Sequence, residues 1–174
     1  MNINVVTGFG QRTGTSFVMQ KAKEKGLPII GEKFITGLTV EKHNPNGYWD
    51  IDPFKLTNLL SNSKLNNSIC KLWFNCLQYI NKDYINHIVV IERQNKVKQF
   101  ESMYKVLQDE LTLPLCRTFY NNETVEEIYT NTTNGLIDWL NQINKDKIFW
   151  VYTEELNEKI DDVLNFLERG LKWQ

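Results

Sequence analysis

No charge of either sign dominates this 174-residue chain: 20 lysines and arginines stand against 21 aspartates and glutamates, for a formal net charge of -1. A chain so balanced has no global field to draw it to nucleic acid or to an acidic membrane surface. Cysteine is sparse. Cys70, Cys76 and Cys116 fall at no metal-ligand spacing, which argues against a zinc site or a disulfide framework and for reduced thiols. No apolar run approaches the roughly 20 residues of a membrane helix. The N-terminus enters a strand pattern directly, without a basic and then apolar leader, so a cytoplasmic location is the expectation. There is no internal repeat and no low-complexity linker. With 41% hydrophobic residues, one domain over residues 1–174 is expected, with a core of its own.

One further absence is local. Residues 2–7 (NINVVT) read as a short buried strand and Phe17 to Lys25 as a helix, with Gly8-Phe9-Gly10-Gln11-Arg12-Thr13-Gly14-Thr15-Ser16 between them. Strand, glycine-rich loop and helix start together make an anion site. The first N–H groups of a helix have no carbonyl partners, and the helix dipole adds positive potential there. Glycines let the backbone approach a phosphate or a sulfate closely. The nucleoside-triphosphate loop ends in G-K-[ST], yet this one ends in Gly14-Thr15-Ser16, without the lysine that reaches the outer phosphates. Arg12, inside the loop, can carry that charge instead.

Farther along, strand and helix patterns alternate. Leu27 to Ile30 reads as a short strand with Pro28 at its start or on an edge, and Phe54 to Leu60 as a helix. Ser68 to Leu72 reads as a third strand with Lys71 at its carboxyl end, and Trp73 to Ile80 as a core helix. His87 to Ile91 is a continuous β-branched run suited to the centre of a parallel sheet. A helix from Asn95 to about Gln108 would turn Val97, Phe100, Met103, Tyr104 and Leu107 to one side. A helical start at residue 123 or 124, a second helical stretch over 135–143, a strand over 148–152 and a last helix capped by Thr153 complete the pattern. This alternation predicts an α/β fold: a doubly wound, mainly parallel sheet with helices on both faces. Residues 31–51 show no period and read as a long loop, of the kind that often carries function.

The run Arg12-Thr13-Gly14-Thr15-Ser16 after a buried N-terminal strand resembles the P-loop sulfotransferase family. Asn44-Pro45-Asn46-Gly47-Tyr48-Trp49-Asp50 is similar to a second stretch found in bacterial and viral members, and Tyr152-Thr153-Glu154-Glu155-Leu156 to the segment after their last strand. The resemblance implies a P-loop-type sheet and transfer of a sulfuryl group from 3′-phosphoadenosine 5′-phosphosulfate to an acceptor hydroxyl or amine, with no metal required. It implies that Gly10, Gln11, Arg12, Thr13, Gly14, Thr15 and Ser16 hold the 5′ side of that nucleotide. Arg93, with Ser102 on the helix after it, would hold the 3′-phosphate. Asp50 is the candidate base for the acceptor proton and His43 its chemical rival, while Asp52 before Pro53 reads as a helix cap.

Three departures keep other outcomes open. The loop is one residue longer than expected, Ser102 follows Arg93 by nine residues rather than eight, and the basic C-terminal loop of many members is reduced to Arg169-Gly170. A P-loop nucleotide or nucleoside kinase and a non-catalytic nucleotide-binding descendant are therefore the alternatives. The partners expected are a small-molecule nucleotide and an acceptor whose identity the sequence leaves open, as it does the oligomeric state.

Overall fold

The computed structural model describes residues 1–10, 13–31, 51, 53–110 and 124–171. Five strands form one sheet: β1 Ile3–Gly8, β2 Ile29–Ile30, β3 Ser68–Lys71, β4 Ile85–Glu92 and β5 Ile148–Tyr152. Their order is β2-β3-β1-β4-β5, and every neighbouring pair is parallel. The described helices are α1 Thr15–Glu24, α2 Pro53–Ser61, α3 Phe74–Leu77, α4 Lys96–Glu110, α5 Val125–Leu140 and α6 Leu156–Arg169.

Parallel neighbours need crossovers, and crossovers are right-handed. The step from β1 to β2 runs toward one edge of the sheet and the next three steps run toward the other. Handedness therefore puts α1 on one face and the helices that follow β2, β3 and β4 on the opposite face. The core divides in that way. Val6, Ile69, Val89 and Val151 pack with α1 and α6, through Met19, Val163 and Leu167 among others. Val5, Cys70, Ile88 and Val90 pack with α2, α3 and α5, through Leu56, Leu77 and Leu136. The sheet is thus all-parallel with a helical layer on each side.

Several boundaries follow from local chemistry. Gly26, at φ +79°, ends α1: its N–H bonds the Lys23 carbonyl and the Leu27 N–H the Ala22 carbonyl, the paired bonds of a left-handed helix end. Asn95 opens α4 by accepting from the Lys98 N–H at 3.0 Å. Thr124 and Glu127 form a reciprocal capping box, so the two helical stretches expected after residue 122 are one helix, α5. Gly135 sits inside α5 because the Phe74 ring occupies the space a Cβ would need. The expected helix over 73–80 is a single turn, Phe74–Leu77, whose continuation tightens into i to i−3 bonds at Tyr79 and Ile80. Residues 32–50 and 111–123 lie outside the described residues. No described helix is long and apolar enough to cross a membrane.

The apolar side expected for α4 is corrected. Val97 is 68% exposed and Tyr104 43%, while Gln99 and Met103 are buried. The helix meets the molecule along the line of 99, 100 and 103, and the Tyr104 hydroxyl donates to the Glu126 carboxylate on α5.

His87 enters β4 at the edge opposite the loop. Its N–H donates to Asn4 Oδ1 at 3.1 Å, its ring stacks on Phe166 with centroids 4.2 Å apart, and Gly170 packs so closely that a Cβ there would meet both Asn4 and His87. Burial pushes the imidazole below its ordinary value, with Arg169 and Lys147 adding to the effect and a hydrogen bond to the Phe166 backbone opposing it. The unfolded chain then takes up a proton on this ring first, near pH 6.5, so stability falls as the pH drops below about 6.5 until the folded ring also titrates. Urea midpoints at pH 7.5 and 5.5 should differ more for the native chain than for His87→Asn; equal differences would remove His87 from the account.

Candidate functional site

In a doubly wound sheet the ligand crevice opens at the carboxyl ends of the strands, where successive connections leave to opposite faces. Here that strand is β1: α1 leaves it to one face, while the chain leaving β3 and β4 on either side goes to the other. The register brings the strand ends level, with Val6 beside Lys71, Gly8 beside Ile91, and Glu92 beside Tyr152. Lys71, the loop after Gly8, Arg93 and Thr153 consequently share one rim.

The loop is held from below. The Phe9 N–H donates to the Ile91 carbonyl at 3.1 Å, and the Phe9 carbonyl accepts from the side-chain amide of fully buried Gln99 at 2.7 Å. Gly10 takes φ +68° with the Tyr129 ring against it. Gly14, at φ +91° and ψ 7°, is the residue before α1, and the helix begins with no side-chain cap and no acidic residue in its first turn. The Phe17 N–H donates to the Gly14 carbonyl at 3.0 Å. Thr15 and Ser16 precede it, at the end where the dipole is positive. Thr13 is buried with its hydroxyl turned under the loop, in the space a Cβ of Gly8 would need, so only its backbone is available to a ligand on the open side. Thr7 Oγ1 and Thr13 Oγ1 are buried without a hydrogen-bond partner among the described residues.

Lys71 is the residue whose setting the sequence leaves undecided between a surface position and the ligand edge. It is 2% exposed, on a strand flanked on both sides. Its Nζ lies 3.2 Å from Ser16 Oγ and 4.8 Å from the Trp73 ring centre. The Lys71 ammonium stands beside the N-terminus of α1, where the helix dipole is also positive.

On the other flank, the corner after β5 clasps the loop. Thr153 does not cap α6, as its sequence suggested. It sits in a single 3-10 turn, Thr153–Glu155, and its hydroxyl is shared between the Thr13 carbonyl at 2.7 Å and the Glu92 carbonyl at 3.2 Å. The Leu156 methyl fills the space a Cβ on Gly14 would take. Beside it Glu92 accepts from Lys96 Nζ at 3.1 Å and from the Trp150 indole at 3.3 Å, and Phe9 packs on Trp150 with centroids 5.0 Å apart. Burial lowers the Lys96 ammonium, but Tyr129 and Glu92 outweigh it and hold it above its ordinary value.

Of the residues singled out from sequence, Gly10, Thr13, Gly14, Thr15 and Ser16 form this loop, and Arg93 stands half-buried at the end of β4, next to it. Ser102 lies about 9 Å along the axis of α4 from its first residue, beside buried Met103. Gln11, Arg12, His43 and Asp50 lie outside the described residues, as does Asp52. Gln99 was not singled out, and Thr153 and Glu154 were named only as a helix start and as part of the segment after the last strand. A glutamine inside an otherwise apolar helical stripe was the available signal for Gln99. The other two looked like an ordinary helix start. Among the described residues no three histidines, cysteines, aspartates or glutamates gather as a metal cluster. The chain matches no protein-family model, no curated protein and no solved structure.

Proposed function

We propose that this chain is a P-loop sulfotransferase that takes its sulfuryl group from 3′-phosphoadenosine 5′-phosphosulfate. The observation that carries the reading is Lys71 on Ser16. In the metal-dependent phosphoryl-transfer loops, the hydroxyl after the loop lysine holds Mg²⁺. Here an ammonium stands 3.2 Å from that hydroxyl, and a divalent cation on Ser16 would sit against it. Positive side chains close to the loop therefore favour an anion carried without a metal, and they weigh against a kinase that uses magnesium-ATP. The residues present fit such a nucleotide. Gly10 and Gly14 hold the left-handed conformations a close backbone cradle needs, and the helix end carries no acid of its own.

In this reading the amides about Gly10, Gln11, Thr13, Gly14, Thr15 and Ser16 grip the 5′-phosphosulfate. Arg12 and Lys71 bring positive charge to the bridging oxygen as the sulfur–oxygen bond breaks. The acceptor oxygen forms the new bond to sulfur and gives its proton to Asp50, with His43 as the other base; the products are the sulfated acceptor and adenosine 3′,5′-bisphosphate. Arg93 and Ser102 hold the 3′-phosphate. The test is thermal: millimolar adenosine 3′,5′-bisphosphate should raise the melting temperature without magnesium, and magnesium-ATP should do so less. No shift with the bisphosphate, or a larger one with magnesium-ATP, overturns the proposal.

A further inference from the structure

The turn between β4 and α4 is already occupied by an anion, and the anion belongs to the chain. The Gln94 N–H donates to Glu154 Oε2 at 3.1 Å and the Asn95 N–H to Oε1 at 3.2 Å, so both oxygens of one carboxylate take the amides of the two residues that lead into a 15-residue helix. Burial pushes this carboxyl up, yet those two amides, its own N–H and the charge of Arg93 together hold it below its ordinary value. The backbone beneath it is fixed on both sides, by the Thr153 hydroxyl on Thr13 and Glu92 and by Leu156 against Gly14. The side chain itself is exposed and can swing away without disturbing either tether.

Resting on the transferase reading, we propose that Glu154 is a specificity-determining residue, an internal competitor that the 3′-phosphate of the donor must displace from the Gln94 and Asn95 amides beside Arg93. A carboxylate and a phosphate offer the same paired acceptor oxygens to such a fork of donors. Two anions cannot share it without repulsion, so the carboxylate weakens binding of a nucleotide with a 3′-phosphate and leaves one without it unaffected. It also keeps the helix end satisfied while no nucleotide is bound.

The experiment compares adenosine 3′,5′-bisphosphate with adenosine 5′-monophosphate by calorimetric titration on the native chain, Glu154→Gln and Glu154→Asp. The amide keeps the shape and removes the charge, so the bisphosphate should bind Glu154→Gln about tenfold more tightly while the monophosphate is unchanged. Glu154→Asp keeps the charge and should keep the native ratio of the two affinities. Because each ratio is taken within one variant, a modest loss of stability does not distort it. A ratio unchanged in Glu154→Gln, or a common shift in both ligands, overturns the competitor and leaves the transferase reading in place. Absence of bisphosphate binding to native chain and variants alike overturns both.

Discussion

Lys71→Met should lose most of its response to adenosine 3′,5′-bisphosphate while still folding. Methionine is close to lysine in volume, so the apolar part of the buried slot stays filled. Removing one partner from a buried polar contact destabilises, so the melting temperature without ligand should fall somewhat, and the response to ligand is read from that lower baseline. In the transferase reading the charge is what the anion meets: a hydrogen bond to a charged group contributes about 1.5–3 kcal/mol, which is roughly 10- to 150-fold in affinity. Calorimetric titration of the bisphosphate reads the loss directly. Affinity within twofold of native would place the anion away from Lys71, and a collapse of the unliganded melting temperature would make the residue structural.

Gly14→Ala should destabilise the fold more than the same change at Gly26. At φ +91° a side chain costs about 1–2 kcal/mol, and the new Cβ would come 2.7 Å from Leu156 Cδ1, in the buried contact between the loop and α6. Overpacking of that kind adds about 1–3 kcal/mol. For a chain of this length the sum lowers the melting temperature by roughly 4–20 °C, and bisphosphate binding should fall with it because the amides of Thr15 and Ser16 are displaced. Gly26→Ala supplies the comparison. Its φ is +79° but nothing lies within 4 Å of the new Cβ, so it should lose only about 1 kcal/mol and bind as before. Equal destabilisation of the two variants would mean that Gly14 matters for its backbone conformation alone.

Much of the frame was legible residue by residue. The β-branched runs at 3–6 and 87–91 lie inside β1 and β4, and the stop at Gly26 and the strand over 148–152 lie where their patterns place them, because each depends on neighbours in sequence. The loop could be located for the same reason, since glycine spacing and a helix start are local. Errors came where a local signal had two readings. Thr153 followed by two glutamates reads as a helix cap, but its hydroxyl is drawn to Thr13, 140 positions away, and a 3-10 turn intervenes before α6. Val97 and Tyr104 match the period of an apolar face. They stay exposed because α4 is held along Gln99, whose amide secures the Phe9 carbonyl 90 positions earlier.

The order of residues along the chain determined by itself that strands and helices alternate, that a glycine-rich loop opens α1, and that lysine is missing from it; periodicity, glycine and helix-end chemistry act over a few residues. Only the tertiary structure decided what surrounds that loop. The sheet order sets β1 between β3 and β4, and the right-handed crossovers put α1 and the later helices on opposite faces; together they carry Lys71 to Ser16 and set the Thr153–Leu156 corner against Gly14. Whether a lysine lies in water or under a helix end, and whether a glutamate caps its own helix or another, depends on contacts between distant segments, and those exist only once the sheet has assembled.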